Sequence, residues 1–268
     1  MIVYAPAKIN IGLKVLDKRK DGYHNLDSLF YPIPLFDIIE VIKSINFEIE
    51  NTGIPVDGSI EDNLIFKAWD LMRIKHHISG IHVHLHKRIP MGAGLGGGSS
   101  DASSVLKCIN ELFELNIKAS TLEDYALELG ADCPFFIKGN PSRVQGIGDK
   151  LQSVSLDLSG LFIALIKPDI HISTSQAYTG VKLEGEDAKL NMGVITNIMD
   201  WNSEFANSFE YHLFDLFPVL DEIKNQLVDE GAFYASMSGS GATIYGLFKK
   251  KPRIHKAWIS HFVWIKQL

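Results

Sequence analysis

The residues with the most evident chemistry lie in one stretch, Pro90-Met91-Gly92-Ala93-Gly94-Leu95-Gly96-Gly97-Gly98-Ser99-Ser100-Asp101. Five of the seven positions from 92 to 98 are glycine, so backbone N–H groups can crowd against a bulky anion. That composition reads as a phosphate cradle. Its neighbours must position it. Upstream, Ile81-His82-Val83-His84-Leu85-His86 alternates apolar and polar residues, as a half-buried strand does. Downstream, Ala102, Val105, Leu106, Ile109, Leu112 and Phe113 recur at helical spacing, and Ser99 or Ser100 suits the N-cap. Strand, loop and helix N-terminus together bring bare amides and a positive dipole end to one point.

Three familiar cradles are excluded. Gly92-Ala93-Gly94-Leu95-Gly96-Gly97 matches G-x-G-x-x-G, but a dinucleotide fold wants a strand ending in an acid about 20 residues on. That distance falls at Leu112 to Lys118, where a helix ends. Gly98 stands where a Walker A lysine would be, and the H-R-D and D-F-G motifs of protein kinases are absent. A glycine-rich turn without a ligand stays open as the alternative; the case to consider is a nucleoside triphosphate over the loop. Phosphoryl transfer then needs a group to receive the acceptor's proton and a cation to offset developing charge. Asp132, wedged between Gly130 and Cys133-Pro134-Phe135-Phe136, is a candidate base, and Lys8 a candidate partner. On residues alone, an Asp132 bonded to loop amides and a Lys8 on a solvated strand face serve as well. Ser99 or Ser100 offers a hydroxyl to magnesium or phosphate, and Ser238-Gly239-Ser240-Gly241 offers further amides.

The bulk numbers allow one large domain or two modest ones in 268 residues. With 46% hydrophobic and 22% charged residues a packed core is expected, and disorder is not. A net charge of −6 without a long basic run argues against a nucleic-acid surface. Cys108 and Cys133 suit free thiols in a reducing compartment, the first residues lack a signal-peptide pattern, and no apolar stretch has membrane-spanning length. A cytoplasmic location follows as an expectation.

Along the chain, residues 7–16 alternate, with Ile9, Ile11, Leu13 and Val15 on one face and Lys8, Asn10, Gly12 and Lys14 on the other. Asp21-Gly22 marks a turn leading to Tyr23 and His24. Leu35 to Ile49 reads as strand, and Asp62 or Asn63 caps a helix from Leu64 to about Lys75. His82, His84 and His86 face water opposite Ile81, Val83 and Leu85, and no metal is assigned to them. Ser120-Thr121-Leu122-Glu123 reads as a capping box for a helix ending at Gly130. Residues 139–150 are turn-rich. A buried-type strand follows at Leu161 to Ile166, a helix starts at Ser173-Thr174-Ser175 with Tyr178 early in it, and Phe214 to Leu227 has helical spacing. Ile244 to Phe248 and Trp258 to Ile265 read as strands.

Ala5-Pro6-Ala7-Lys8-Ile9-Asn10, the glycine stretch with Ala102, and Ser238-Gly239-Ser240-Gly241-Ala242-Thr243 resemble, in that order, the three motifs of the GHMP small-molecule kinases. The resemblance implies an α+β fold of two lobes. The N-terminal one (1–155, ATP-binding) would be like ribosomal protein S5 domain 2 and the C-terminal one (156–268) ferredoxin-like. Asp21-Gly22-Tyr23-His24, Gly130-Ala131-Asp132-Cys133-Pro134-Phe135-Phe136 and Gly146-Ile147-Gly148-Asp149 narrow the resemblance to a member of the non-mevalonate isoprenoid pathway. That member's small-molecule substrate is 4-diphosphocytidyl-2-C-methyl-D-erythritol. The implied reaction moves the γ-phosphate of ATP, with Mg2+, to the 2-hydroxyl of the methylerythritol unit. Lys8 and Asp132 would be catalytic, with Asp132 as base. ATP would meet Asn63, Leu64, Lys87, Pro90, Met91, Gly92, Ala93, Gly94, Leu95, Gly96, Gly97, Gly98, Ser99 and Ser100. Asn10, Tyr23, His24, Tyr178, Gly239 and Ser240 would bind the acceptor, His24 hydrogen-bonding the cytosine and Tyr178 stacking on it. Nucleic-acid and membrane partners are not expected, and a monomer or weak homodimer is. The family often has Asn-Asp-Phe-Glu where this chain has Asn207-Ser208-Phe209-Glu210. A homoserine, mevalonate or galactose kinase should lack the Tyr23-His24 pair, and a non-catalytic nucleotide binder should lose Lys8 or Asp132.

Overall fold

The computed structural model describes residues 1–268 apart from the side chains of Met199, Asn202 and Ser203. By compactness the chain forms two units that interleave along the sequence. Unit 1 holds Met1–Lys8, Pro32–Met91 and Gly96–Asn140, and unit 2 holds Ile9–Tyr31, Gly92–Leu95 and Pro141–Leu268. The boundary expected at 155 and 156 divides the sequence, whereas the compact units exchange segments within two long strands and within the glycine loop. Those strands are β1 (Ile2–Lys18) and β2 (His24–Ser44).

In unit 1, β3 (Glu48–Gly53) runs parallel to β4 (Gly80–Lys87), and β4 pairs antiparallel with the far half of β2, Ile38 opposite His86. The alternation read from β4 holds: Ile81, Val83 and Leu85 are buried, His82 and His84 half-buried, His86 exposed. Helices α1 (Leu64–His76), α2 (Gly97–Leu112), α3 (Ala119–Leu129) and α4 (Cys133–Lys138) cover the buried face. Ile65, Ala68 and Met72 of α1 and Val105, Leu106 and Ile109 of α2 meet Ile39, Val41, Val83 and Leu85 in one core. Each Ile, Leu, Val or Met side chain removed from water there contributes about 1.5–3 kcal/mol.

The helix starts differ in how well the sequence announced them. Asn63 caps α1 as expected, its Oδ1 accepting the Ile65 N–H at 2.8 Å. Neither Ser99 nor Ser100 caps α2: Gly96 does, at φ +69°, a left-handed conformation that starts the helix earlier. The capping box does not form either. Lys118 is the N-cap of α3, which places Ser120 inside the first turn, and Gly130 ends the helix with its N–H on the Ala126 carbonyl.

In unit 2, the near half of β2 pairs antiparallel with β5 (Ser142–Gly146), which pairs with β6 (Lys150–Ser153), so the turn-rich stretch is a hairpin turning at 147–149. A second, antiparallel sheet has the order β10–β7–β9–β8, from β7 (Phe162–Lys167), β8 (Tyr234–Met237), β9 (Ile244–Phe248) and β10 (Phe262–Gln267). Trp258 precedes β10 in a 3-10 turn, its indole N–H donating to Gln226 at 2.8 Å. The unit's helices are α5 (Thr174–Thr179), α6 (Trp201–Glu204), α7 (Glu210–Leu216) and α8 (Pro218–Asp229). The single helix expected from Phe214 to Leu227 is thus two. Pro218 lacks the N–H that would continue α7, and its fixed φ suits the first position of α8. Leu213, Leu220, Ile223 and Leu227 pack on Ala164, Ile166, Ile244 and Trp258. Among the described residues, no helix is long and apolar enough to cross a membrane.

Candidate active site

Lys8 and Asp132 come together in unit 1. Lys8 Nζ lies 3.4 Å from Asp132 Oδ2, with side-chain exposures of 4% and 35%. The solvated-face reading of Lys8 fails because both faces of β1 are covered here: Lys8 is 3% exposed and Asn10 1%. Asp132 ends the turn after α3, directly before α4, so the helix stop at Gly130 places it. Gly96 sits over the pair. A Cβ there would lie 2.8 Å from the Phe136 ring and 3.1 Å from Lys8 Cγ, so only glycine lets the loop backbone come this close.

A cavity of about 210 Å3 lies beside α1 in the same unit. Ile49, Val56, Leu64 and Leu85 give it apolar walls, and Asn63, Lys87, Gly98 and Asp101 supply polar groups. Its size and mixed lining suit a nucleoside. It gathers Asn63, Leu64, Lys87, Met91 and Gly98 from the expected nucleotide set. Pro90, Ala93 and Leu95 are buried instead, whereas Met91 is 44% exposed.

Behind the cavity, Lys87 Nζ donates to Asp37 Oδ2 and Asp101 Oδ2, both at 2.6 Å. Asp37 Oδ1 accepts the N–H of Arg88 at 2.5 Å and of Ile89 at 2.8 Å. All three side chains are essentially buried. Burial disfavours the Lys87 ammonium, yet Asp101 and Asp37 outweigh it and hold its pKa above that of an ordinary lysine. Asp101 is pushed up to about 7, by burial first, against the pull of Lys87 and with Asp37 adding repulsion. Of the two serines expected near magnesium, Ser100 is fully buried, its Oγ without a partner among the described residues, while Ser99 is half-buried. Only Ser99 therefore offers a reachable hydroxyl. Burial also pushes the Cys108 and Cys133 thiols up to about 11, which leaves both inert near neutrality.

In unit 2, Asn10 is fixed from several sides. Its Nδ2 donates to Ser28 Oγ at 2.9 Å, its N–H to Ser238 Oγ at 3.3 Å, and its carbonyl accepts the Tyr245 hydroxyl at 2.6 Å. Ser238 in turn donates to the Gly94 carbonyl at 2.8 Å, and a Cβ on Gly94 would lie 1.9 Å from the Ser238 oxygen. One seryl hydroxyl so joins the two small-residue loops. Gly239 packs beside Gly94 and Asn10, and Ser240 is half-buried. The His24 and Tyr178 rings stack at 4.7 Å and 20°, with Phe209 edge-on to Tyr178 at 4.9 Å. Burial, then Lys18, lowers the His24 pKa, so its imidazole is neutral at pH 7 and can both donate and accept. Tyr23 is 61% exposed beside them in sequence.

Several positions had no role assigned from the sequence. Asn207 Nδ2 donates to the Met237 and Gly239 carbonyls, and Glu210 accepts from Met237 N and Ser236 Oγ, so both brace the C-terminal loop. Ser208 bonds the Leu13 carbonyl and the Val15 N–H and meets the Glu184 carboxylate. Asp37 carried a signal: an acid amid Leu35, Phe36, Ile38 and Ile39 demands a buried partner. Asp101 stood at the end of the glycine stretch itself.

Comparison with known proteins bears on this geometry. The GHMP kinases N terminal domain matches residues 63–140 and the GHMP kinases C terminal domain residues 190–262. The 4-diphosphocytidyl-2-C-methyl-D-erythritol kinase of Azobacteroides pseudotrichonymphae genomovar. CFP2 is 44% identical over 94% of this chain and 95% of its own. That of Parabacteroides distasonis is 41% identical over 100% of both. A crystal structure of 4-(cytidine 5'-diphospho)-2C-methyl-D-erythritol kinase superposes with a TM-score of 0.80 at 30% identity, covering 99% of this chain and 98% of that one. The Methanococcus jannaschii mevalonate kinase, at 13% identity and TM-score 0.69, shares the fold.

Proposed function

The chain belongs to the GHMP kinases, among the 4-diphosphocytidyl-2-C-methyl-D-erythritol kinases, and from that premise we propose how its residues phosphorylate the 2-hydroxyl of that compound with ATP. The observation that carries the assignment of roles is the Lys8–Asp132 pair under Gly96. Asp132 takes the proton of the 2-hydroxyl, and Lys8 steadies the same oxygen as it attacks the γ-phosphorus. The bare amides at the start of α2 meet the phosphates, where the helix dipole favours negative charge. The nucleoside occupies the cavity walled by Leu64 and Val56, with Asn63 and Lys87 at its polar edge. In unit 2, neutral His24 reads the cytosine edge and Tyr178 offers a ring for its face.

Magnesium would come with ATP, and a hard oxygen donor such as the Ser99 hydroxyl suits it. When bound it neutralises triphosphate charge. A cytoplasmic monomer or weak homodimer acting only on small molecules completes the proposal. The test is ADP release from purified protein with Mg-ATP, comparing the diphosphocytidyl compound with homoserine, mevalonate and galactose. Turnover with the cytidyl compound alone is expected. Turnover with another acceptor would discard the roles of Tyr23, His24 and Tyr178, and ATP binding without turnover would favour a non-catalytic protein.

A further inference from the structure

We propose that Asp37 is a positioning residue for the nucleotide donor: from behind the cavity it fixes Lys87, Arg88 and Ile89 together and so sets where the glycine loop begins. This rests on the donor occupying the cavity beside α1, as proposed above. Asp37 is 0% exposed and is not part of the cavity lining, whereas Lys87 and Asp101 are. Its action on a bound nucleotide therefore passes through other groups. Each carboxylate oxygen has its own task. Oδ1 gathers two consecutive backbone N–H groups, those of Arg88 and Ile89, and Oδ2 takes the Lys87 ammonium. These residues stand immediately before Pro90 and the glycines.

The same ammonium reaches Asp101 on α2, so the two segments that flank the loop are joined through it. Gly97 shows how tight the arrangement is. A Cβ there would lie 3.1 Å from Lys87 Nζ and 3.0 Å from the Ile89 side chain. Lys87 and Ile89 thus pack directly against the backbone at the start of α2, so their placement and that of its first amides are linked. A carboxylate that only glued β2 to β4 would be satisfied by the two amides alone. Here Asp37 also shares the Lys87 ammonium with Asp101, whose Oδ1 is buried and, among the described residues, without a hydrogen-bond partner.

The experiment is Asp37→Asn, which keeps an Oδ1 acceptor for the two amides and loses the ionic grip on Lys87. We expect KM for Mg-ATP to rise at least fivefold, while KM for the cytidyl acceptor and kcat per active enzyme stay within twofold. An unchanged ATP KM, or an equal rise in both, overturns the proposal. Should the single variant not fold, Asp37→Glu keeps the charge but displaces the carboxylate, and must show the same split. Calorimetric titration with Mg-ATP reads the same loss of affinity without turnover. An absence of turnover in the unmodified protein would thus count against the catalytic roles and not against Asp37.

Discussion

Replacing Asp132 by asparagine separates proton transfer from nucleotide binding. The substitution keeps shape and hydrogen-bonding capacity and removes the only property a base needs. Positioned general bases contribute about 10²–10⁴ in rate, which corresponds to roughly 3–5 kcal/mol in the barrier. The accompanying cost in stability should be small. The pair is 3.4 Å apart and Asp132 is 35% exposed, so solvent screens it and about 0–1 kcal/mol is at stake. The cavity that suits the nucleoside does not include Asp132. Coupled ADP release under saturating substrates should therefore show kcat falling a hundredfold or more, with calorimetric affinity for Mg-ATP within twofold and an almost unchanged melting temperature. A kcat within tenfold of the parent would refute Asp132 as the base. A large drop in melting temperature would show instead that the pair is mainly structural.

Tyr178→Ala should raise KM for the cytidyl acceptor tenfold or more and leave KM for ATP within twofold, since its ring lies with His24 and Phe209; equal effects would place the stacking group elsewhere. Gly94→Ala should lower the melting temperature and weaken ATP binding together. A Cβ there meets the Ser238 carbonyl at 1.9 Å and the backbone is left-handed, a conformation that alone costs a non-glycine residue about 1–2 kcal/mol; a parent-like melting curve would sink this. Asp101 gives a pH prediction. Its carboxyl titrates near 3.8 when unfolded and is pushed up to about 7 when folded, so between those values the unfolded chain has released a proton the folded one still holds. Its stability cost therefore grows from about pH 4 to about pH 7 and is constant above. Urea unfolding should show the stability of Asp101→Asn, relative to the parent, rising through that window and levelling beyond it, and a flat difference would refute it.

Local chemistry was the legible part of this chain. Asn63 and Ser173 announce their helices because a short side chain reaches its own backbone two or three residues on. The strand before the glycine loop was legible because one face is buried and the other wet. The start of α2 was not. Two serines looked like caps, but the left-handed Gly96 turns the chain first, held there by Phe136 and Lys8 from distant segments. The burial of Lys8 and Asn10 was hidden for the same reason, since alternation reports which residues share a face and not whether that face is covered. Asp37 advertised that it needed a partner but not that the partner lies fifty residues on. The compact units were hidden most deeply, because β1 and β2 each pass from one to the other without any break in composition.

The unequal exposure of Lys8 and Asp132 supports their proposed roles better than their identities do. A group that takes a proton from a visiting hydroxyl must be reachable, and Asp132 keeps 35% of its side chain open. A group that steadies charge gains by being held in one place away from water, where its field is least screened. Lys8 has that setting, with 4% of its side chain exposed and its stem under Gly96. The reverse assignment would place the proton acceptor on the side chain that a visiting hydroxyl reaches less easily. Lys8→Met should therefore lower kcat while Asp132 remains competent as a base, so that added small primary amines restore part of the rate. Rescue by amines of increasing basicity but equal size should depend only weakly on their pKa. A steep dependence would mean that the amine moves the proton itself, and that Lys8, not Asp132, is the base.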